Sequence, residues 1–582
     1  MEGFPNRWIS WAAALLLAVQ GAPTRAAVLD THLDARVGAN YQPLDDDERA
    51  IWESLARLED SIRTSPQRLV APDLETYTRE VIERLIGRPA PELRIYLVHD
   101  STFNAAMFPS GMMLVNTGLL ARVRSEAQFA AVIGHEAGHY LRKHAVDRYR
   151  ALRQKAAIMR VTSAAGRGNG YGWAPGSESW DVVTQATARS MYKFSRGQES
   201  EADAYGVMLM ARAGYPPTAA SEICAQLLAE RRASAAARGK GYVDGASSAL
   251  STHPATGRRA IDLADTAGEL VQKGELSKVQ YPDRWQAVVR PYQAMLLREQ
   301  VYLNDPGASL YLLESLAREG WTALLRFNEG EVYRLRHAQG DESRAAAAHA
   351  AAVALPDAPP EAWRARAYAL LNAGNLADAR QAFDRYLTLN PGAADAAIIR
   401  SPPMILGVNG SRLAVAPGDP WKKLPSHANE SHWERVWTRN GPQLDRLALL
   451  DGLPEGKAII RQTTDQDQQA PAFRADMTLQ DLISMVEVAY RVKGVALFRV
   501  ESIEPIEFLG GTGIQLRYEY ASGIGITKRG RYVLRVVDRR LYAMKLDGVA
   551  TPEFETVLTE FARLVGEARL RIVTPASAHQ SW

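Results

Sequence analysis

The chain has 582 residues, 46% of them apolar and 23% charged, which is ordinary globular material long enough for three or four domains. Its 69 basic and 66 acidic residues leave a net charge of +3, so there is no strong basic field of the kind nucleic acid requires. A single cysteine, Cys224, excludes both a disulfide framework and a lipid-attached N-terminal cysteine.

At the N-terminus, Arg7 precedes the apolar run Trp8 to Val19, and small residues follow in "QGAPTRAA". That run is too short for a spanning helix, which needs about 20 residues, and it reads as a secretory signal peptide over 1–26, cleaved after Ala26; the alternative is an uncleaved membrane anchor. An exported protein that folds without disulfides fits a bacterial periplasm. "DDDERAIWESLARLEDSI" and "DLETYTREVIERLIG" carry apolar residues at three and four spacings and predict two amphipathic helices. Strands follow in "ELRIYLV", "STFNAAMF" and "MMLVNTGLL", with a turn at Pro109 to Gly111.

The segment from Ser125 to Tyr149 places Phe129, Val132, Ile133, Ala137 and Tyr140 at helical spacing, which predicts a buried helix. Ser163 to Ser179 is a Gly-rich loop, either a surface connection or a lid. Helical pattern resumes from Trp180 to Ala213. Further on, "PEAWRARAYALLNAGNLADARQAFDRYLTLNP" aligns with a tetratricopeptide repeat through Trp363, Ala367, Leu370, Gly374, Ala379, Phe383 and Pro391, and a weaker copy precedes it. One repeat cannot bury its own face, so a short array is expected. After the Pro/Gly-rich connection "SPPMILGVNGSRLAVAPGDP", a helix at "MTLQDLISMVEVAYRV", four strands from Gly494 to Asp547 and a last helix from Pro552 predict an α+β domain with an antiparallel sheet. The expected organisation is therefore multidomain α+β, with a signal peptide at 1–26, a mainly helical domain with a small sheet at 41–275, repeats at 282–398, a linker at 399–425 and the α+β domain at 426–575.

Chemistry concentrates in "AAVIGHEAGHY", where His135 and His139 stand four apart on the predicted helix. Their rings share a face and can reach one ion at about 2.0–2.1 Å each. Glu136 points about 100° further round, too far to share the ion's front side but placed to take a proton from water there. A third ligand is needed. "SRGQESEADAYGVMLMARAGYPP" offers Glu199 and Asp203, four apart on one helical face, so one can bind metal while the other hydrogen-bonds a ligand histidine. Glu201 faces away from both. His427 and His432, five apart, read as surface residues, and His144 reads as structural.

HExxH followed about sixty residues later by "ESEADAYG" resembles the gluzincin metallopeptidases that include HtpX-like proteases and CAAX prenyl proteases. "FNAAMFPSGMMLVNTGLL" and "LSTHPATGRR" add to the likeness, which covers Tyr41 to Val271. The leader and repeats resemble the soluble, periplasmic BepA-like branch; the C-terminal domain has no counterpart there. The resemblance implies a zincin-type domain with one Zn²⁺ per chain on His135, His139 and Glu199, Glu136 as general base and Asp203 behind a ligand. It implies that His253 stabilises the oxyanion or latches the open position, unless it is only a turn histidine; Arg258 or Arg259 are other donor candidates. It implies a periplasmic endopeptidase in protein quality control. The expected partners are polypeptides, outer-membrane proteins or their assembly machinery among them, met through the repeats, with no nucleic acid and no spanning helix in the mature chain. Two other readings compete: a chaperone or assembly scaffold with a latched site, and a cell-wall amidase.

Overall fold

The computed structural model describes residues 37, 40–164, 194–242, 257–273, 278–400, 411–415, 417–424, 434–460, 470–495, 497–521 and 526–572. The leader, the Gly-rich loop at 163–179 beyond Ala164, His253, His427 and His432 lie outside these residues.

The first helix among the described residues is α1, Asp46–Thr64, whose start is fixed by Asp45 accepting from the backbone of Glu48. A short strand β1, Arg68–Leu69, leads to helix α2, Pro72–Ile86, which opens on a proline and closes on Gly87 in the left-handed region. Strands β2 (Arg94–Val98), β3 (Ala105–Met107) and β4 (Met112–Asn116) complete a four-stranded sheet in the order β1-β2-β4-β3. β2 and β4 are parallel, whereas β3 returns antiparallel to β4 through the Pro109–Gly111 turn and forms the sheet's edge. That edge packs beside the helix that carries the two histidines.

After the one-and-a-half-turn helix α3, Thr117–Arg122, comes α4, Glu126–Leu141, started by Ser125 accepting from Gln128. Expected as one helix through Tyr149, this segment breaks after Leu141: Lys143 adopts φ 57°, and α5 starts afresh at His144–Ala164. Helices α6 (Arg196–Arg212), α7 (Thr218–Ala237) and α8 (Gly257–Lys273) close the domain around α4.

The first turn of α4 is anchored by one buried carboxylate. Glu126 accepts from Tyr77 (2.7 Å), Tyr215 (2.7 Å) and Arg84 (2.6 Å), and Arg284 lies 3.2 Å away. Glu126→Ala removes the acceptor for all four donors, and unpairing a buried ion pair costs about 3 kcal/mol. A lower urea midpoint with unchanged slope is the expected result; an unchanged midpoint would mean the network carries no net stability.

Helices α9 (Pro282–Val289), α10 (Gln293–Val301) and α11 (Pro306–Leu316) lead into two helical hairpins, α12 (Ala323–Arg336) with α13 (Asp341–Ala354) and α14 (Pro360–Asn372) with α15 (Leu376–Leu389). In the second hairpin the small residues Ala365, Ala367, Ala379 and Ala382 are buried. The core under α4 continues without interruption into this region, through Trp285, Leu297, Leu313 and Leu325. A buried ion pair and a hydrogen bond reinforce the junction, Arg122 on α3 donating to Glu230 on α7 and to the amide oxygen of Gln300 on α10.

The last domain is a seven-stranded antiparallel sheet, β6-β7-β8-β12-β11-β10-β9, with β5 (Ser411–Ala414) paired separately to β13 (Arg569–Ile572). Its strands are β6 (Lys422–Lys423), β7 (Glu434–Thr438), β8 (Asp445–Pro454), β9 (Phe498–Phe508), β10 (Gly511–Ala521), β11 (Thr527–Val537) and β12 (Arg540–Val549). Alternation sends Leu534 to one face, under helix α16 (Leu479–Val492), and Val533 to the other, under α17 (Pro552–Glu567). The β11–β12 turn uses Asp538 and Arg539, both at positive φ, as a two-residue hairpin of this hand requires. Arg334 on α12 donates to Asp481 (2.6 Å) and Ser484 (2.9 Å) on α16, which ties this domain to the hairpins. Among the described residues, no helix is long and apolar enough to cross a membrane.

Candidate metal centre

Two helices meet at this site because small residues let them. Gly134 and Gly138 on α4 face Ala202 and Gly206 on α6. A Cβ on Gly206 would stand 2.8 Å from the backbone N of His135 and 2.9 Å from the carbonyl carbon of Gly134; one on Gly138 would stand 3.0 Å from the carbonyl oxygen of Ala202. The backbones approach so closely that the side chains one turn away converge. A capping box between Ser195 and Gln198 sets where α6 begins, and so puts Glu199 in its first turn, where the helix dipole favours a carboxylate.

The Nε2 atoms of His135 and His139 are 3.2 Å apart. Each lies 3.6 Å from an oxygen of Glu199. Donors around a tetrahedral ion at about 2.0–2.1 Å stand about 3.3 Å from one another. Two imidazoles and a carboxylate at these separations therefore fit one divalent cation, and they are the cluster of metal-binding type among the described residues.

Behind the donors stand two supporting arms. Asp203, one turn after Glu199, reaches Nδ1 of His135 at 2.8 Å. Arg259 on α8 donates to both its oxygens at 2.7 Å and lies against the His135 ring, 3.1 and 3.2 Å from its nitrogens. Burial disfavours the Asp203 carboxylate, but the charge of Arg259 and the hydrogen bond from His135 outweigh burial and hold it ionised far below the usual range. With the Nδ1–H of His135 donating a hydrogen bond to the ionised Asp203, Nε2 keeps a lone pair for a metal.

The second arm was not legible in the spacing. On one continuous helix His144 would sit far round from His139. The break at Lys143 instead folds it back, so that its Nδ1 lies 2.9 Å from Nδ1 of His139, while its Nε2 lies 3.4 Å from Glu201. Glu201, which faces away from Glu199 and Asp203, thus supports His139 through His144. The hydrogen bond from His144, opposed by burial and reinforced by Arg142 at 2.5 Å, holds Glu201 at about 2. Phe194 stacks on the other side of His139, ring centroids 3.9 Å apart.

Glu136 is buried and lines a cavity together with His135, Asp203 and Arg259. Of the two arginines suggested as donors, Arg259 is engaged by Asp203, and Arg258 is 77% exposed and pairs with Asp262.

The donors of this centre lie within a stretch of chain that is similar to known proteins. Residues 68–267 match peptidase family M48, and residues 360–400 match a tetratricopeptide repeat. The mitochondrial metalloendopeptidase OMA1 of Schizosaccharomyces pombe is 28% identical over 217 residues, 36% of this chain and 57% of that protein. The protein of the same name in Arabidopsis thaliana is 32% identical over 171 residues, 29% of this chain and 30% of its own length. The putative beta-barrel assembly-enhancing protease of Vibrio cholerae is 26% identical over 203 residues, 34% of this chain and 40% of that protein. The match thus spans less than two thirds of each relative. A solved structure of LpqN, involved in cell envelope biogenesis of Mycobacterium tuberculosis, is 14% identical, covers 28% of this chain and 84% of its own, and has a TM-score of 0.19. Together, the family match and the metallopeptidase relatives establish that this chain carries a peptidase family M48 metallopeptidase domain at residues 68–267, followed by a tetratricopeptide repeat at 360–400.

Proposed function

We propose that the chain is a periplasmic, zinc-dependent endopeptidase that cleaves misfolded or stalled envelope proteins. The observation that carries this reading is the convergence of two Nε2 atoms and a carboxylate at ion-binding separations beside a buried glutamate. His135, His139 and Glu199 would hold the zinc. A cation so held lowers the pKa of water towards 7 and polarises a carbonyl. Glu136 takes the proton of the attacking water and returns it to the leaving amine. Asp203 orients His135, and His144 with Glu201 orients His139. The edge strand β3, beside α4, suits an extended peptide that adds to the sheet through main-chain hydrogen bonds. The expected envelope substrates gain support from the beta-barrel assembly-enhancing proteases among the relatives, and the helical hairpins supply a surface for holding a client.

The test is cleavage of unfolded casein by the zinc-loaded full chain, its loss with a chelator and its return with zinc. Activity that survives complete metal removal contradicts the proposal. The supporting arms give a separate expectation: Asp203→Asn and His144→Ala should each weaken zinc binding about 10–100-fold. Competition against a chromophoric chelator reads this directly. An unchanged affinity in both variants would reduce the arms to packing.

A further inference from the structure

Helix α16 has two working faces. Leu482, Met485, Val486 and Ala489 enter the core of the C-terminal domain. On the other side Gln480, Ser484, Glu487 and Arg491 follow at spacings of four, three and four, which makes one polar stripe. Such a stripe suits water, yet Gln480, Ser484 and Glu487 are only 5%, 2% and 5% exposed. They meet the helices of the repeat region instead. On α12, Arg334 donates to Asp481 and Ser484, while Glu331 accepts from Gln480 at 3.2 Å. On α10, Arg298 donates to Glu487 at 3.0 Å. Tyr368 on α14 lies within the field of Asp481.

Helices α12 and α14 are the first members of the two hairpins, and stacked hairpins turn one continuous face of such helices to a partner. That face is basic where α16 is acidic, with Arg334 against Asp481 and Arg298 against Glu487. Among the described residues, no apolar cluster crosses this contact: the one beneath the hairpins reaches Leu325 and Val332, and a separate one holds Leu482 and Met485. Parting would therefore free charged and polar groups that water can satisfy, and buried ion pairs hold little net stability against that exchange. The segment 394–399 keeps the two units adjacent, Ala394 accepting from Ile503 of β9 at 2.7 Å, so α16 returns as a tethered ligand.

We propose that the polar stripe of α16 is a built-in occupant of the client face of the hairpins, and that this face takes in its place a helical client segment whose carboxylates, about 9 Å apart along its axis, reach Arg334 and Arg298. The proposal deepens the reading in which the hairpins hold a client and rests on it only for what displaces α16.

The test follows access to Ser484 in the zinc-loaded, full-length Glu136→Gln protein, in which an added peptide survives. Ser484→Cys puts a thiol beneath Arg334, and peptide mapping separates its reaction with a maleimide from that of buried Cys224. Raising sodium chloride from about 0.1 to about 1 M shortens the screening length from about 10 to about 3 Å and should speed labelling about 10-fold. Glu487→Arg sets two cations together and should give a similar rise at low salt, which Arg298→Glu added to it should largely reverse. The competing probe is a synthetic peptide of residues 478–493 carrying Leu482→Gln, Met485→Gln, Val486→Gln and Ala489→Gln for solubility. Against a tethered helix at an effective concentration of about 1 mM, about 1 mM of this peptide should speed labelling at least fivefold. The same peptide with Asp481→Lys and Glu487→Lys should leave the rate unchanged.

Labelling that neither salt nor the acidic peptide alters overturns the proposal, and these two arms decide it even where Glu487→Arg fails to fold. Labelling that salt speeds and the acidic peptide does not also overturns it, because the contact is then a loose domain junction and not an occupied groove. Neither rate involves hydrolysis, so casein left uncut by the unsubstituted chain would fail the peptidase reading and leave this one standing.

Discussion

Replacing Glu136 with glutamine is expected to lower peptide hydrolysis about 10³-fold, the scale of a general base, while zinc content and melting temperature stay at their starting values. The side chain is buried and borders the cavity beside His135, yet the three donors that fit a cation are His135, His139 and Glu199. An amide has nearly the shape of the carboxylate but cannot accept the water's proton, so only the proton transfer should suffer. Zinc stoichiometry, thermal unfolding and casein cleavage measured on one preparation separate the effects. Loss of zinc together with activity would assign Glu136 to the metal; full activity would remove it from the chemistry. Cellular function that persists in this variant would favour a scaffold over an enzyme.

Gly206→Val should be nearly as damaging, by a different route. The new Cβ would meet the backbone of His135 and Gly134 at 2.8 and 2.9 Å, and backbone inside a helix cannot swing aside as a side-chain end can. Helix α6 must move off α4 and take Glu199 and Asp203 with it. Overpacking of this sort costs about 1–3 kcal/mol, and the displacement of one ligand and one supporting acid should reduce zinc affinity by more than about 100-fold. Gly268→Ala on α8 is the matched control, because its Cβ would face open space and a helix gains up to about 1 kcal/mol from the exchange. Zinc affinity retained in Gly206→Val would show that the close crossing of α4 and α6 does not position the donors.

What spacing could reveal is the part of the site that lies within a single helix. His135 with His139, and Glu199 with Asp203, are each four apart, and the 3.6-residue period puts each pair on one face. The likeness of wording to a known family then joined the pairs. What spacing could not reveal depends on a backbone departure with no residue signal. Lysine at φ 57° is unremarkable in sequence, yet Lys143 ends α4 and turns His144 back on His139, so a residue read as structural lies against a candidate ligand. Glu201 was missed for the same reason, since its partner is His144. No sequence pattern links Arg259 to Asp203, 56 residues earlier. Four strands of the C-terminal sheet, β9 to β12, were legible because they alternate and the β11–β12 turn is tight; β6, β7 and the ten-residue β8 were not read, and the short β1 escaped, its two residues being too few for a period. The shared core through Trp285 and Leu313 likewise has no local signature, as it forms only when α9 to α11 dock.

The central claim is that one cation is held jointly by two segments of chain, and anomalous diffraction at the zinc edge from crystals of the zinc-loaded protein tests it most directly. The expected map has a single strong peak at about 2.0–2.2 Å from Nε2 of His135, Nε2 of His139 and an oxygen of Glu199. A folded protein whose map holds no peak there, or whose peak is bound by other side chains, would contradict it.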